Sequence, residues 1–447
     1  MALRNWLRSL AANNPPRPSP RPRFRPRVER LEDRAVPTVS LESAFGTSSD
    51  AASSQGRDVA VDAAGNSYVT GWFRYTLDFD PANDRLGGAD VLTANGSCDA
   101  FVAKYAADDS LVWVRRMGGP TSPATGPVTT DVGEAIDVDA AGNVYVTGRF
   151  QDTADFGPVS LTSAGRWDGF AAKLTPAGAV SWAKRWGTGM DEVGLGIDVD
   201  SAGNASVLGG RTYARPDGSI YTVDSNHGLD VLKYTPTGGT AWAPKFVNTW
   251  AMPITGDRGV DAGGNLFAAG SFAGTVDFDP GTKSNQTYYA TSGPGSDGFV
   301  LKLTAAGGFA WASPFTGQRV DASTYGYSNA GSIALDGSGN VFVSGRYDSV
   351  VDFDKGSGTT TLPAVGGGFI AKLTPAGGLA WARSLEKNPS AGNNFIMVNG
   401  LATDAAGNVY VTGSFSGEFD FDPGAGVAAR RSVWDETYSR YSGTCSW

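Results

Sequence analysis

Acidic residues recur in this 447-residue chain within one short phrase, Asp-Phe-Asp. It reads LDFDPAND at 77–84, VDFDPGT at 276–282, VDFDKGS at 351–357 and FDFDPGA at 419–425, with a shortened ADFGP at 154–158. In an extended chain the two Asp side chains fall on one side and the Phe on the other. Phe79, Phe278, Phe353 and Phe421 are therefore expected to pack inward. Asp78 and Asp80, Asp277 and Asp279, Asp352 and Asp354, and Asp420 and Asp422 are expected to face outward as carboxylate pairs. Oxygen ligands spaced in this way and followed by a turn suit Ca²⁺. Ordinary turn chemistry is the competing expectation, since Asp ahead of Pro-Gly caps a turn. An EF-type loop would need further alternating oxygens and a distal Glu.

Other reactive side chains are few. The single histidine, His227, excludes a multi-histidine zinc site and is expected in a solvated loop. Cys98 and Cys445 lack metal-ligand spacing, and they form a disulfide only if the C-terminal tail returns to the first repeat. Trp72 and Trp167, at the edges of the long loops, are candidates for stacking on a ligand. Trp113, Trp182, Trp242, Trp311 and Trp381 hold one fixed place in the repeat, which points instead to packing between neighbouring units. Asp137 and Asp198 are placed to face a central channel, but no partner acid or base is specified for a glycosidase-like pair.

These residues are carried by six copies of one hairpin, at 59–73, 136–150, 196–210, 259–272, 333–347 and 401–415. Each reads as two alternating strands around Asp-x-x-Gly-Asn. The Asp carboxylate can accept backbone N–H groups two residues on, and the Gly takes the left-handed conformation that closes a short hairpin. The turn residues are Asp62 and Gly65, Asp139 and Gly142, Asp200 and Gly203, Asp261 and Gly264, Asp336 and Gly339, and Asp404 and Gly407. Their glycines are spaced 77, 61, 61, 75 and 68 residues apart. After each hairpin except the last come a third strand such as DGFAAKL, a Thr-Pro-Ala-Gly type of turn, and a fourth strand carrying the tryptophan. Four antiparallel strands per unit is the content of one propeller blade.

The expected fold is all-β, a six-bladed β-propeller of four-stranded antiparallel blades spanning 38–430. The last blade is expected to be closed by an N-terminal strand at Val39, aligned with the fourth strand at Val180. Residues 1–37 form an Arg/Pro-rich leader that cannot bury a core. Residues 431–447 match no other unit, although residues 433–438 fall where a third strand of the last blade is due. In a four-stranded meander both tight turns share one face, and the long variable segments share the other. Binding on a rigid scaffold usually resides in such segments.

The phrases D-x-x-G-N-V-Y-V-T-G-x-F, D-F-D-P-G and D-G-F-V-A-K-L-x-P-x-G-x-L-x-W-A, recurring in that order over almost all of 38–430, resemble the bacterial β-propeller repeats called SBBP. That resemblance implies a propeller at the cell surface or outside the cell, and no defined activity. The leader, with Glu-Arg-Leu-Glu-Asp-Arg at 29–34, is similar to the Arg-rich start of large exported bacterial repeat proteins. It holds a local charge of +6, so the remainder carries −15 of the net −9. An acidic body repels phosphates, so nucleic acid is not an expected partner. No stretch reaches the roughly 20 apolar residues of a membrane-spanning helix. The expected function is a monomeric, exported, non-enzymatic scaffold that binds a protein or glycan through its long-loop face. The alternative is a propeller polysaccharide hydrolase or lyase working through channel carboxylates.

Overall fold

A computed structural model of the chain describes residues 54–80, 88–120, 130–214, 220–222, 230–243, 257–279, 287–289, 296–317, 326–348, 350–356, 358–362, 366–387, 395–404, 407–421, 429–431 and 445–446. The leader, the strand at Val39, His227, Asp422 and residues 433–438 lie outside these residues.

Among the described residues the fold is all-β and the main sheets are antiparallel. The first sheet runs Ser54–Val61, Ser67–Phe73, Asp99–Tyr105 and Leu111–Met117 in that spatial order. The second repeats the order with Val132–Val138, Val144–Phe156, Val159–Leu174 and Val180–Trp186. The third has Glu192–Val199, Ala205–Ala214, Asp230–Tyr234 and Thr240–Trp242. In the fourth, Arg258–Val260, Leu266–Phe272, Asp297–Leu303 and Phe309–Gly317 follow the same path. The fifth is built from Tyr327–Leu335, Val341–Asp348, Gly367–Leu373 and Leu379–Lys387. The sixth holds Phe395–Thr403 and Val409–Ser416, with Cys445–Ser446 paired antiparallel on Ser414–Phe415. That is the place a third strand takes in the other sheets, so the end of the tail adds backbone to the last unit.

The Asp-x-x-Gly-Asn sequences form the expected turns. Asp139 Oδ1 accepts the N–H groups of Ala141 (3.0 Å) and Asn143 (2.8 Å), while Asp139 Oδ2 accepts the Asn143 side-chain amide and the Tyr145 hydroxyl. Gly142 sits at φ +79, as the tight turn requires. The second tight turn of each unit serves the neighbouring unit as well. Trp113 donates to the Pro176 carbonyl at 3.0 Å, Trp182 to Pro236 at 3.1 Å, Trp242 to Ala305 at 2.9 Å and Trp311 to Pro375 at 3.0 Å. These four indoles are thus fixed to the next sheet, which is the inter-unit packing their regular spacing suggests.

The first strands of successive sheets lie side by side, and apolar clusters fill the spaces between sheets. The Asp-Phe-Asp segments, between the second and third strands of their units, begin with short strands. Thr76–Asp78 and Thr275–Asp277 open small hairpins of their own. Val351–Asp352 pairs with Thr316–Gly317 at the end of the preceding sheet's fourth strand, and Phe419–Asp420 pairs with Glu386–Lys387 in the same manner. Asp155 bridges Gly118 likewise, with N–H to O distances of 3.2 and 3.1 Å in the two directions. The end of one sheet's outer strand is therefore paired with the following unit, which lessens its exposed edge.

Candidate functional site

The Asp-Phe-Asp segments leave the second strand at the end opposite both tight turns. Their phenylalanines are buried: Phe79, Phe278, Phe353 and Phe421 are 0–5% exposed. Each packs against aromatic rings from the second or third strand. Phe79 lies 5.6 Å from Phe73 and 4.9 Å from Phe101, and Phe278 lies 5.4 Å from Phe272 and 4.9 Å from Phe299. Phe156 of the shortened copy repeats the arrangement with Phe150 and Phe170 at 5.8 and 4.8 Å.

The first Asp of the phrase is engaged by backbone. Asp78 Oδ1 accepts the Asp80 N–H at 2.9 Å, and Asp277 Oδ1 accepts the Asp279 N–H at 3.0 Å. Asp352 Oδ1 accepts N–H groups from Asp354 and Thr360, both at 3.0 Å. Asp354 in turn accepts the Gly356 N–H at 2.8 Å. This is turn chemistry in which a side chain replaces a backbone acceptor. Among the described residues, no three His, Cys, Asp or Glu side chains gather to hold a metal ion.

The two tryptophans differ. Trp72 is half-buried, donates to Gln55 Oε1 at 3.3 Å, and has the Arg74 guanidinium 5.4 Å from its ring. Trp167 is fully buried, so the ligand-stacking expectation fails for it. Its indole donates to Gln151 Oε1 at 3.0 Å, and Arg166 and Arg149 lie 4.3 and 5.4 Å from the ring. Cys98 is buried, and the side chain of Cys445, its candidate disulfide partner, lies outside the described residues. Burial, helped by the Asp131 charge, pushes the Cys98 pKa up to about 11.

Asp137 and Asp198 belong to a cluster on the first strands that sequence reading shows only in part. Asp58 Oδ2 accepts the Ile136 N–H at 3.0 Å, joining the first sheet to the second. Asp137 Oδ2 accepts the Val199 N–H at 2.7 Å, joining the second to the third. Asp198 Oδ2 faces Arg258 Nε at 3.3 Å, and Arg258 also donates to the Ile197 carbonyl at 2.9 Å. Asp257 Oδ2 accepts the Ser332 hydroxyl at 3.0 Å and the Ile333 N–H at 3.3 Å. Thr403 donates to the Leu335 carbonyl at 3.0 Å, which carries the series into the sixth sheet. Burial raises the carboxyl pKa of Asp58 and of Asp137, against the pull of these N–H groups. Burial also pushes Asp198 up to about 7, with Arg258 pulling the other way. For Arg258 itself, burial would lower the pKa, but the four carboxylates outweigh it and raise it. Sequence reading missed Asp58, Asp257 and Arg258. The signal available was an Asp four residues before the turn Asp in two repeats and two residues before it in two others.

No family model matches the chain. A curated relative, an uncharacterized WD repeat-containing protein of Acanthamoeba polyphaga mimivirus, is 25% identical over 434 residues. The match covers 81% of this chain and only 30% of the relative's length. The sheets and this relative agree. The chain is a β-propeller-like repeat protein. Among solved structures, hydrazine synthase of Kuenenia stuttgartiensis is 11% identical with a TM-score of 0.40, over 80% of this chain and 76% of that one. A protein of unknown function from Dyadobacter fermentans is 10% identical with a TM-score of 0.35, over 84% of this chain and 93% of that one. No long, apolar helix able to cross a membrane is found among the described residues.

Proposed function

We propose that this propeller-like chain is an exported, monomeric, non-enzymatic scaffold that binds a protein or glycan partner on the face opposite its tight turns. One observation carries the reading: the repeated carboxylates are committed to holding units together. Asp58 and Asp137 accept backbone N–H groups of the next sheet, Asp198 faces Arg258, and the first Asp of three Asp-Phe-Asp segments caps its own turn. A hydrolase or lyase acid must reach substrate, and these acids are engaged elsewhere. The long, dissimilar segments instead leave a face whose rim is pinned by buried phenylalanines, a rigid base for variable loops.

The same reading takes the chain as a six-bladed ring of the SBBP type, with residues 1–37 as an export leader, 38–430 as the propeller and 431–447 as a tail. Five blades come from contiguous sequence, and the strand at Val39 completes the last. A glycan array with turnover measured on the same panel tests the function. Saturable binding without turnover is expected. Turnover that Asp137→Asn or Asp198→Asn abolishes would establish the enzyme instead. Truncation tests closure: removing residues 1–37 should leave the melting temperature in place, while removing 1–53 should lower it.

A further inference from the structure

Opposite the third-strand lysine, the second strand carries an aromatic residue in four sheets. The cross-strand pairs are Tyr68 with Lys104, Tyr145 with Lys173, Phe267 with Lys302 and Phe342 with Lys372. In each, the ammonium lies over the ring, at 5.1, 4.9, 4.7 and 4.6 Å from its centre. The fourth-strand tryptophan flanks the same ring, with centroids 6.0–6.4 Å apart. The third sheet breaks the pattern: Ser206 stands opposite Lys233.

With no ring to lie on, Lys233 reaches Asp200 Oδ2 at 2.9 Å and the Gly264 carbonyl at 3.0 Å. These acceptors have counterparts one sheet earlier. There Asp139 Oδ2 and the Gly203 carbonyl hold the Tyr145 hydroxyl at 3.0 and 3.1 Å. The Lys233 ammonium thus stands where the neighbouring unit places a phenol oxygen. Ser206 is 1% exposed, and its Oγ has no hydrogen-bond partner. Beside Lys233 a cleft of about 240 Å³ opens on the tight-turn face, between the turns at Asp200 and Gly264, with walls from Asn204, Ala241, Ala262 and Ala305.

We propose that this cleft binds a phenol ring of the kind a tyrosine side chain presents. The hydroxyl donates to Asp200 or the Gly264 carbonyl, as Tyr145 does to their counterparts. Lys233, displaced from both, swings over the ring face as Lys173 lies over Tyr145, exchanging an ion pair for a cation–π contact. Ala305, which lines the cleft, has its carbonyl held by the Trp242 indole at 2.9 Å. A ring without the hydroxyl leaves Asp200 without its replacement donor, so a phenol is preferred to a plain hydrocarbon ring. The site lies on the opposite face from the partner surface proposed above and does not depend on it.

The test titrates the whole chain with p-cresol, toluene and a blocked Gly-Tyr-Gly peptide, followed by saturation-transfer NMR. Two variants act as controls: Ser206→Tyr supplies the ring from within, and Ala305→Trp closes the exposed mouth without touching the core. Saturable p-cresol binding, at least tenfold weaker for toluene and lost in Ala305→Trp, is the expected result. Peptide binding as tight as p-cresol assigns the site to a protein segment, and weaker peptide binding assigns it to a free phenol. No saturation by p-cresol, toluene binding as well as p-cresol, or unchanged binding in Ala305→Trp overturns the proposal. If Ser206→Tyr folds, it must also lose binding.

Discussion

Arg258 lies across Gly196, so close that a Cβ built on the glycine would stand 2.3 Å from Arg258 Cδ. The first strand of the third sheet is thus bare where the first strand of the fourth sends in a guanidinium. That guanidinium answers Asp198 and lies within the electrostatic reach of Asp58, Asp137 and Asp257.

Removing Arg258 should expose the cost of this cluster. Arg258→Met leaves the carboxylates without their cation, and stranding partly buried charged groups in this way costs about 1–3 kcal/mol. The sign with pH follows from the raised carboxyl values of Asp58, Asp137 and Asp198. A carboxyl raised in the fold favours folding when protonated, and that contribution is lost as pH climbs through the folded value. Without Arg258 these values rise further. The deficit of the variant, measured by urea unfolding, should therefore be largest near pH 8 and shrink toward pH 5. A deficit that does not vary with pH would refute the electrostatic account.

Asp131 offers a second pH test. It is 1% exposed and accepts the N–H groups of Gly119 and Gln151, both at 2.9 Å. Burial, reinforced by the charges of Asp99 and Asp152, pushes its carboxyl up to about 8. Its proton-linked stability is complete below about 4 and is lost as pH rises toward 8. Asp131→Asn cannot titrate, so the stability of wild type relative to this variant should fall from pH 5 to pH 8. At about 1.4 kcal/mol per pH unit the change should reach a few kcal/mol. Parallel pH curves for the two proteins would contradict the assignment.

The Asp-Phe-Asp segment separates core packing from carboxylate chemistry. Phe353 is 1% exposed and lies 5.2 Å from Phe315 and 4.9 Å from Phe369. Phe353→Ala should cost about 3–5 kcal/mol. Asp352→Ala strands two N–H groups and should cost about 1–3 kcal/mol. Thermal melts with EDTA and with added Ca²⁺ complete the measurement. Equal melting temperatures in both leave turn capping as the role of Asp352. A calcium-dependent rise that Asp352→Ala abolishes would assign it a metal.

Cys98 should be silent to thiol reagents. In a Cys445→Ser background it is the sole thiol, it is 3% exposed, and its pKa is held near 11. The thiolate is the reactive form, so native protein at pH 8 should react with Ellman's reagent on the unfolding timescale and fully only in denaturant. Rapid stoichiometric labelling of the native protein would contradict this burial.

The features legible in sequence are those whose chemistry closes within a few residues. Asp139, Gly142 and Asn143 form their turn with partners no more than four positions away, so one repeat contains the turn. The Asp-Phe-Asp period likewise places Phe79 and Phe278 inward, because alternation in an extended chain is local. Trp167 misleads for the opposite reason: its place near a loop in sequence says nothing of the arginines and Gln151 that enclose it.

By itself the sequence determined the all-β repeat, its hairpin turns and the tryptophan set against the next unit, since each follows from spacing and short-range backbone preference. Tertiary structure alone decided that Val351–Asp352 borders the preceding sheet, that Arg258 gathers four carboxylates, and that Lys233 stands where Tyr145 would place its hydroxyl. Apart from the adjacent Asp257, those relationships join residues about 31 to 200 positions apart. Their geometry exists only after the sheets pack and bury charges whose partners lie on other strands.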